Sequence, residues 1–131
     1  MRLFTSRYQR FNPQQGAAVR TTVGAPRFAL PYDLAGEAQL VKPTYPMLSL
    51  DEQPYRVAYL RRLDAAGIDA VRAELQAVST VIGDPRLVLL CFCDLSRPHA
   101  WCHRRMFADW WHHHTGQEVP ELAESPDPAL F

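Results

Sequence analysis

An uninterrupted apolar run from Leu87 to Cys93 constrains the fold of this 131-residue chain more than any other feature. Seven apolar residues without a polar break are typical of a strand covered on both faces, as in a parallel sheet. A helical pattern precedes the run and another follows it, which indicates a parallel strand–helix unit. We therefore predict an α/β fold: a small, open, mostly parallel sheet with helices packed on its faces, in a Rossmann-like three-layer arrangement.

The patterns on either side of this run predict the remaining elements. Strands are expected over 2–8, 17–24 and 117–122, and helices over 50–67, 68–83 and 98–116. Four prolines punctuate residues 25–46, so an irregular segment is expected there, with a short strand near 39–41. We predict a single α/β domain over residues 1–122, followed by a loose acidic tail over 123–131.

Composition limits the class of protein. The chain is 47% hydrophobic and 21% charged, which is typical of a globular domain rather than a disordered one. No apolar run approaches the ~20 residues that span a bilayer, so no membrane association is expected. The N-terminus lacks the apolar stretch of a signal peptide, and three cysteines is an odd number, which argues against a disulfide framework. We expect a cytoplasmic protein with reduced thiols.

The net charge of zero conceals an asymmetry along the chain. Residues 1–32 contain five arginines and no acidic residue, and the chain has thirteen arginines against the single lysine Lys42. Arginine grips phosphate or carboxylate with a planar fork, which indicates an anionic partner. A GC-rich genome would produce the same preference for arginine, so both explanations stay open.

Residues 87–116 contain all three cysteines and all five histidines. They include the end of the predicted strand and the start of the helix that follows it. In open parallel sheets, ligands bind beyond the carboxyl ends of the strands. The sequence therefore predicts the functional site at this junction.

A metal centre is one interpretation of these residues. A helix over 98–116 would place Cys102 and His113 ~16 Å apart along its axis, too far to share an ion. Neighbouring histidines 112–114 would point in different directions. A smaller set stays open, although it lacks paired CxxC motifs: Cys91, Cys93, Cys102 and His103. We predict no metal and no cofactor.

A reactive thiol and an anion site are the other interpretations. Cys102 falls early in the predicted helix, near arginines, where the helix dipole and positive charge favour a thiolate. The same helix N-terminus favours a bound phosphate or carboxylate. We predict Cys102 and His103 as catalytic residues, as thiolate and acid–base group, with Arg104 binding the anion. The alternatives are that Cys102 is a small buried hydrophobe and that His103 is a hydrogen-bonded core residue.

Several segments resemble a bacterial, archaeal and phage family catalogued as domain of unknown function 488, over about residues 2–122. The resemblance is carried by LFTSRY, VRTTVGAP, VKPTYPML, LLCFC with CHRRMFADWW, and TGQEVPEL. It implies a compact α/β fold and a site where the two cysteine motifs meet the end of the first strand. The residues that it brings together are Cys91, Cys102, His103, Arg104, Thr5 and Ser6, with Arg7 beside them.

The family is uncharacterised, so the resemblance implies no activity. The loop 92–101 is longer than the family pattern and adds Cys93 and Arg97, and the histidines 112–114 lie outside the pattern. We expect a site for a small anionic or nucleotide-like ligand around Cys91 and Cys102. The protein would act on this ligand through a reactive thiol.

A nucleic-acid-binding module is the alternative function. It would use the arginines of the N-terminal third, with four aromatic residues as stacking partners: Tyr8, Phe11, Phe28 and Tyr32. The zero net charge argues against it, because nucleic-acid-binding domains usually carry a basic excess.

Overall fold

The computed structural model describes residues 1–125, in which four parallel strands form one sheet. The strands are β1 (Arg2–Arg7), β2 (Ala17–Arg20), β3 (Gly36–Glu37) and β4 (Arg86–Cys91), and the α-helices are α1 (Glu52–Ala66), α2 (Ile68–Ile82) and α3 (His103–Thr115). The order across the sheet is β1-β4-β2-β3, so the last strand in sequence lies between the first two. The predicted α/β fold with a parallel sheet is confirmed.

Alternate residues of the strands face two separate cores. Leu3, Val19 and Leu89 belong to the larger core, which also contains the buried faces of α1, α2 and α3. Val88 and Leu90 belong to the smaller core on the other face. That smaller core is completed by residues outside the α-helices: Tyr8, Phe11, Leu30, Tyr32, Leu34 and Leu122. The helices therefore lie on one face, and the three-layer part of the prediction is wrong, because the segments between β1 and β3 form no α-helix.

Helices α1 and α2 begin and end within two residues of the predicted positions. Gly67, with φ 86°, separates them. An apolar stripe of α1 is buried at Tyr55, Tyr59 and Leu63, where it packs against the larger core. Within residues 1–125, no helix is both long and apolar enough to cross a bilayer.

Helix α3 begins five residues later than predicted. Cys102 has an extended backbone (φ −158°, ψ 149°) and is the N-cap, so the first helical residue is His103. Residues 92–102 form a loop between β4 and α3. Pro98, which was expected in the first helical turn, lies within that loop.

Two short segments also differ from expectation. The edge strand β3 is Gly36–Glu37, whereas the residues predicted to be extended, Gln39–Val41, form a 3₁₀ helix. Gly36 packs closely on α2, since an added Cβ would lie 3.0 Å from the Val78 side chain. The predicted last strand is reduced to one parallel bridge between Thr5 and Glu121.

The first residues of the predicted tail are attached to the domain. Glu124 pairs with Arg7, and the Ser125 N–H donates to the Arg10 carbonyl. The rest of that predicted tail, residues 126–131, lies outside the described residues.

Gly16 provides a test of how closely β2 and β4 approach. Its backbone (φ 150°, ψ −161°) belongs almost only to glycine, and an added Cβ would lie 2.9 Å from the Arg86 carbonyl oxygen. We expect Gly16→Ala to lower the free energy of unfolding by about 1–3 kcal/mol in urea denaturation. Gly24→Ala is the control, because its Cβ meets no atom within 4 Å. Equal losses for both variants would contradict this account.

Candidate functional site

A cavity of about 300 Å³ lies at the carboxyl edge of the sheet. Cys91 ends β4 there, and Thr21 and Thr22 follow β2 directly. Cys102 and His103 close the cavity from the start of α3. Its remaining walls come from the segment after β2, the 3₁₀ region, α1 and the loop before α3: Val23, Gly24, Pro43, Leu48, Tyr55, Phe92, Cys93 and Trp101. The predicted location at the strand–loop–helix junction therefore coincides with a cavity.

Cys91 and Cys102 come together at the base of this cavity. The structure joins their sulfur atoms as a disulfide, with Cα atoms 7.8 Å apart, so the expectation of reduced thiols is not met at this pair. The side chains are buried, whereas Cys93 is exposed. The predicted clustering of cysteines is confirmed for Cys91 and Cys102. The exposure of Cys93 makes it, and not Cys102, the thiol open to solvent.

The hydrogen bonds of Thr21 fix the proton on the His103 ring. The Thr21 hydroxyl donates to the Leu90 carbonyl oxygen (2.8 Å), so its oxygen is the acceptor for His103 Nε2–H (3.1 Å). The other ring nitrogen, Nδ1, is then unprotonated and lies 3.7 Å from the Cys102 sulfur. The site thus presents a nitrogen lone pair to the Cys102 sulfur.

Burial keeps this imidazole neutral. Desolvation lowers the pKa of His103 to about 4. The hydrogen bond with Thr21 raises the pKa by less than desolvation lowers it, and the Arg104 charge adds a smaller lowering. The Tyr59 ring covers the imidazole edge-on, with 5.6 Å between ring centres. At neutral pH, His103 is therefore a hydrogen-bond acceptor or ligand at Nδ1, not a cation.

Arg104 faces away from the cavity. Its guanidinium is 1% exposed and donates to both carboxylate oxygens of Glu121, to the Cys91 sulfur (2.8 Å) and to the Cys93 carbonyl oxygen (2.8 Å). Instead of facing the cavity, as the predicted anion-binding residue would, Arg104 joins β4, the loop and the C-terminal segment. It acts on the site through Cys91.

Glu121, which sequence reasoning missed, is the counter-ion of this network. Burial raises the pKa of its carboxyl group, but hydrogen bonds from Arg104 and Thr5 lower it by more, so the pKa of Glu121 lies below its usual value. The only sequence signal was an acidic C-terminal segment in a chain rich in arginine. Thr21, Tyr55 and Trp101 were also missed as site residues, although the two threonines that follow β2 stand at the same sheet edge.

The residues expected at the end of β1 lie behind the cavity. Thr5 is buried, donates to Glu121 (2.6 Å) and accepts from Arg105 (2.7 Å). The Ser6 hydroxyl is buried without a hydrogen-bond partner, and Arg7 pairs with acidic residues. Glu121 thus connects Thr5 to Arg104, and neither Thr5 nor Ser6 lines the cavity.

The metal-binding possibilities are narrow in residues 1–125. One group of three cysteine, histidine or acidic side chains has ligand atoms all within 4.8 Å of one another: Cys91, Cys102 and His103. The histidines 112–114 lie at the far end of α3, where His112 contacts Glu118 (3.1 Å) and His114 lies near Asp64 (3.8 Å).

The Arg104–Glu121 pair predicts a specific loss of stability. Glu121→Gln keeps the shape of the side chain but leaves a buried guanidinium without its counter-ion. Breaking a buried pair costs about 3–5 kcal/mol, and because Glu121 is 30% exposed we expect about 3 kcal/mol. Glu124→Gln, at the more exposed pair with Arg7, should cost less than about 1 kcal/mol. Urea denaturation of both variants would measure the difference; similar small losses would refute the buried pair.

The His103 ring predicts an NMR signature. Long-range ¹H–¹⁵N spectra should show the Nε2–H tautomer, with protonation only as the pH falls towards about 4. Thr21→Val removes the acceptor for Nε2–H and should give a mixture of tautomers. A titration midpoint near the ordinary value of ~6.5 would show that the ring is solvated.

Comparison with known proteins finds no match for this chain among models of protein families, curated proteins or solved structures. The resemblance to domain of unknown function 488 therefore stays a prediction. Any function must be argued from the geometry of the cavity and its residues.

Proposed function

We propose that this protein binds a small molecule in the cavity at the carboxyl edge of the sheet and acts on it through Cys102 and His103. One observation carries the proposal: the cavity ends on the buried sulfurs of Cys91 and Cys102 and on a neutral, oriented imidazole. Pockets that combine apolar walls with a few convergent polar groups are the usual form of small-molecule sites. The position beyond the strand ends supports the same reading.

The walls favour a ligand with a flat apolar part. Tyr55 and Trp101 meet edge to face, with 5.0 Å between ring centres, and Phe92 contributes a third aromatic ring. No charged side chain is among the lining residues that the structure describes. A nucleobase or another aromatic ring suits such walls better than a phosphosugar does.

An anionic group on the same ligand would be placed at the start of α3. The first backbone N–H groups of a helix have no acceptor within the helix, and the helix dipole favours negative charge there. Cys102 and His103, which line the cavity, are the N-cap and first residue of that helix. The reacting part of the ligand would therefore lie beside Cys102 and the unprotonated Nδ1 of His103.

The structure offers less to the nucleic-acid alternative. Tyr8 and Phe11, two of its four expected stacking residues, are buried in the smaller core. Arg20 pairs with Glu37 and also donates to the carbonyl oxygens of Thr22 and Val23. These contacts account for residues that were expected to meet bases or phosphates.

A ligand screen with a blocked cavity tests the proposal. Thermal-shift and NMR titrations of the full chain would compare nucleosides, nucleotides, phosphosugars and aromatic carboxylates. Leu48 lines the cavity and is 55% exposed, so Leu48→Arg adds a long charged side chain at the mouth without disturbing the core. We expect ring-bearing ligands to bind and Leu48→Arg to weaken them by roughly tenfold or more.

Val81→Arg is the matched control, because Val81 is 87% exposed on α2 and does not line the cavity. It should leave affinity unchanged. Absence of any ligand, or affinity that is indifferent to Leu48→Arg, would overturn the proposal.

A further inference from the structure

The geometry points to a mononuclear zinc site formed by the sulfurs of Cys91 and Cys102 and by Nδ1 of His103, with the fourth coordination position open to the cavity. This inference rests on the proposed function for the role of the metal: in the reduced protein, Cys102 and His103 would act on the bound molecule through the zinc ion that they hold. Zinc binding itself can be tested without a ligand. Zinc sites with three protein ligands and one open position are characteristic of catalysis rather than of structural stabilisation.

The first support is the convergence of the three groups. Their ligand atoms all lie within 4.8 Å of one another, and the side chains are 1%, 3% and 6% exposed. Ligands at 2.3 Å (sulfur) and 2.0–2.1 Å (nitrogen) from a tetrahedral zinc ion lie about 3.6 Å apart. The observed separation between the Cys102 sulfur and His103 Nδ1 is 3.7 Å.

The second support is the separation of the two cysteine backbones. The Cα atoms of Cys91 and Cys102 are 7.8 Å apart, whereas those of disulfides are usually 4.4–6.8 Å apart. A zinc ion between two thiolates holds the sulfurs about 3.8 Å apart, so zinc binding requires that the Cys91–Cys102 bond be reduced and its sulfurs separate. The backbone spacing therefore fits two thiolates that share an ion better than it fits a covalent bond.

The third support is that each ligand has a partner that orients it. His103 donates Nε2–H to Thr21, which frees Nδ1 for the metal. The Cys91 sulfur accepts a hydrogen bond from the Arg104 guanidinium. Such outer partners, which fix the tautomer and stabilise the ligand charge, are a regular feature of metal centres.

Charge also favours a divalent ion. Arg104 and Glu121 neutralise each other, so two buried thiolates would have no further cation among the described lining residues. Zn²⁺ cancels both thiolate charges and leaves the buried group neutral, which avoids the cost of unpaired buried charge. Sulfur and imidazole ligands select zinc over magnesium or calcium, which require oxygen ligands.

The start of α3 explains how three members of the set that the sequence left open come together. A helix from Pro98 would have carried Cys102 within its first turns, whereas the observed helix starts at His103. The extended Cys102 and the first helical residue therefore project beside the end of β4. Cys93 lies outside the converging group, although it was in the set that the sequence left open.

Metal analysis of the full chain tests the inference. The protein would be purified under reducing conditions, analysed by inductively coupled plasma mass spectrometry, stripped with chelator and reconstituted with zinc or cobalt. We expect about one zinc per chain and, with Co²⁺, thiolate charge-transfer and tetrahedral d–d bands. Cys102→Ser should weaken zinc binding by roughly a hundredfold, and Thr21→Val by roughly tenfold.

Cys93→Ser is the matched control and should bind zinc like the parent chain. Circular dichroism would show that each variant folds. If Cys102→Ser does not fold, Thr21→Val still tests the site, because it retains all three metal ligands. Absence of zinc and of a cobalt spectrum in the reduced protein would overturn the inference, as would an equal loss in Cys93→Ser. Iron in place of zinc would overturn the choice of metal. If the cavity binds a small molecule but the protein holds no metal, the proposed function stands and the zinc inference falls. If the protein holds zinc but binds no small molecule, the zinc site stands and the proposed function falls.

Discussion

A guanidinium that is almost wholly excluded from water must find its partners within the protein, and Arg104 finds three groups in three parts of the chain. It holds the Glu121 carboxylate, the Cys91 sulfur and the Cys93 carbonyl oxygen at once. Because Glu121 also accepts from Thr5, the same pair attaches the C-terminal segment to β1. The start of α3 is thereby held against the sheet edge at which the cavity lies.

The strongest local patterns of the sequence predicted the fold. The apolar run that became β4 and the apolar stripe of α1 fixed strand and helix, since each was periodic or continuous enough to leave one interpretation. The single helical layer was not predictable, because loops such as the one with Leu34 supply apolar side chains without any periodicity. The helix start at His103 also escaped, because Pro98 is as suitable for a first turn as for the loop in which it lies.

The location of the site could be predicted from the sequence, but the orientation of its side chains could not. Cys91 and Cys102 could be assigned to one sheet edge from the order of elements alone. Whether Arg104 faces the cavity or the interior depends on an acidic partner seventeen positions away in the sequence, and no local pattern encodes that choice. The orientation of His103 likewise depends on Thr21, which belongs to a different strand end and is brought near by the position of β4.

The position of β4 also dictates when the sheet can form. The first two strands pair with β4 and not with each other, so β1 and β2 cannot become parts of one sheet until residues 86–91 are available. Only the short pair of β2 with β3 can form earlier. During synthesis, the apolar residues of β1 and β2 therefore await a partner that leaves the ribosome more than sixty residues after β2 ends. Sequence-distant pairing of this kind slows folding and exposes unpaired strands to other chains. The nascent chain is therefore most open to pairing with other chains just before Arg86 emerges.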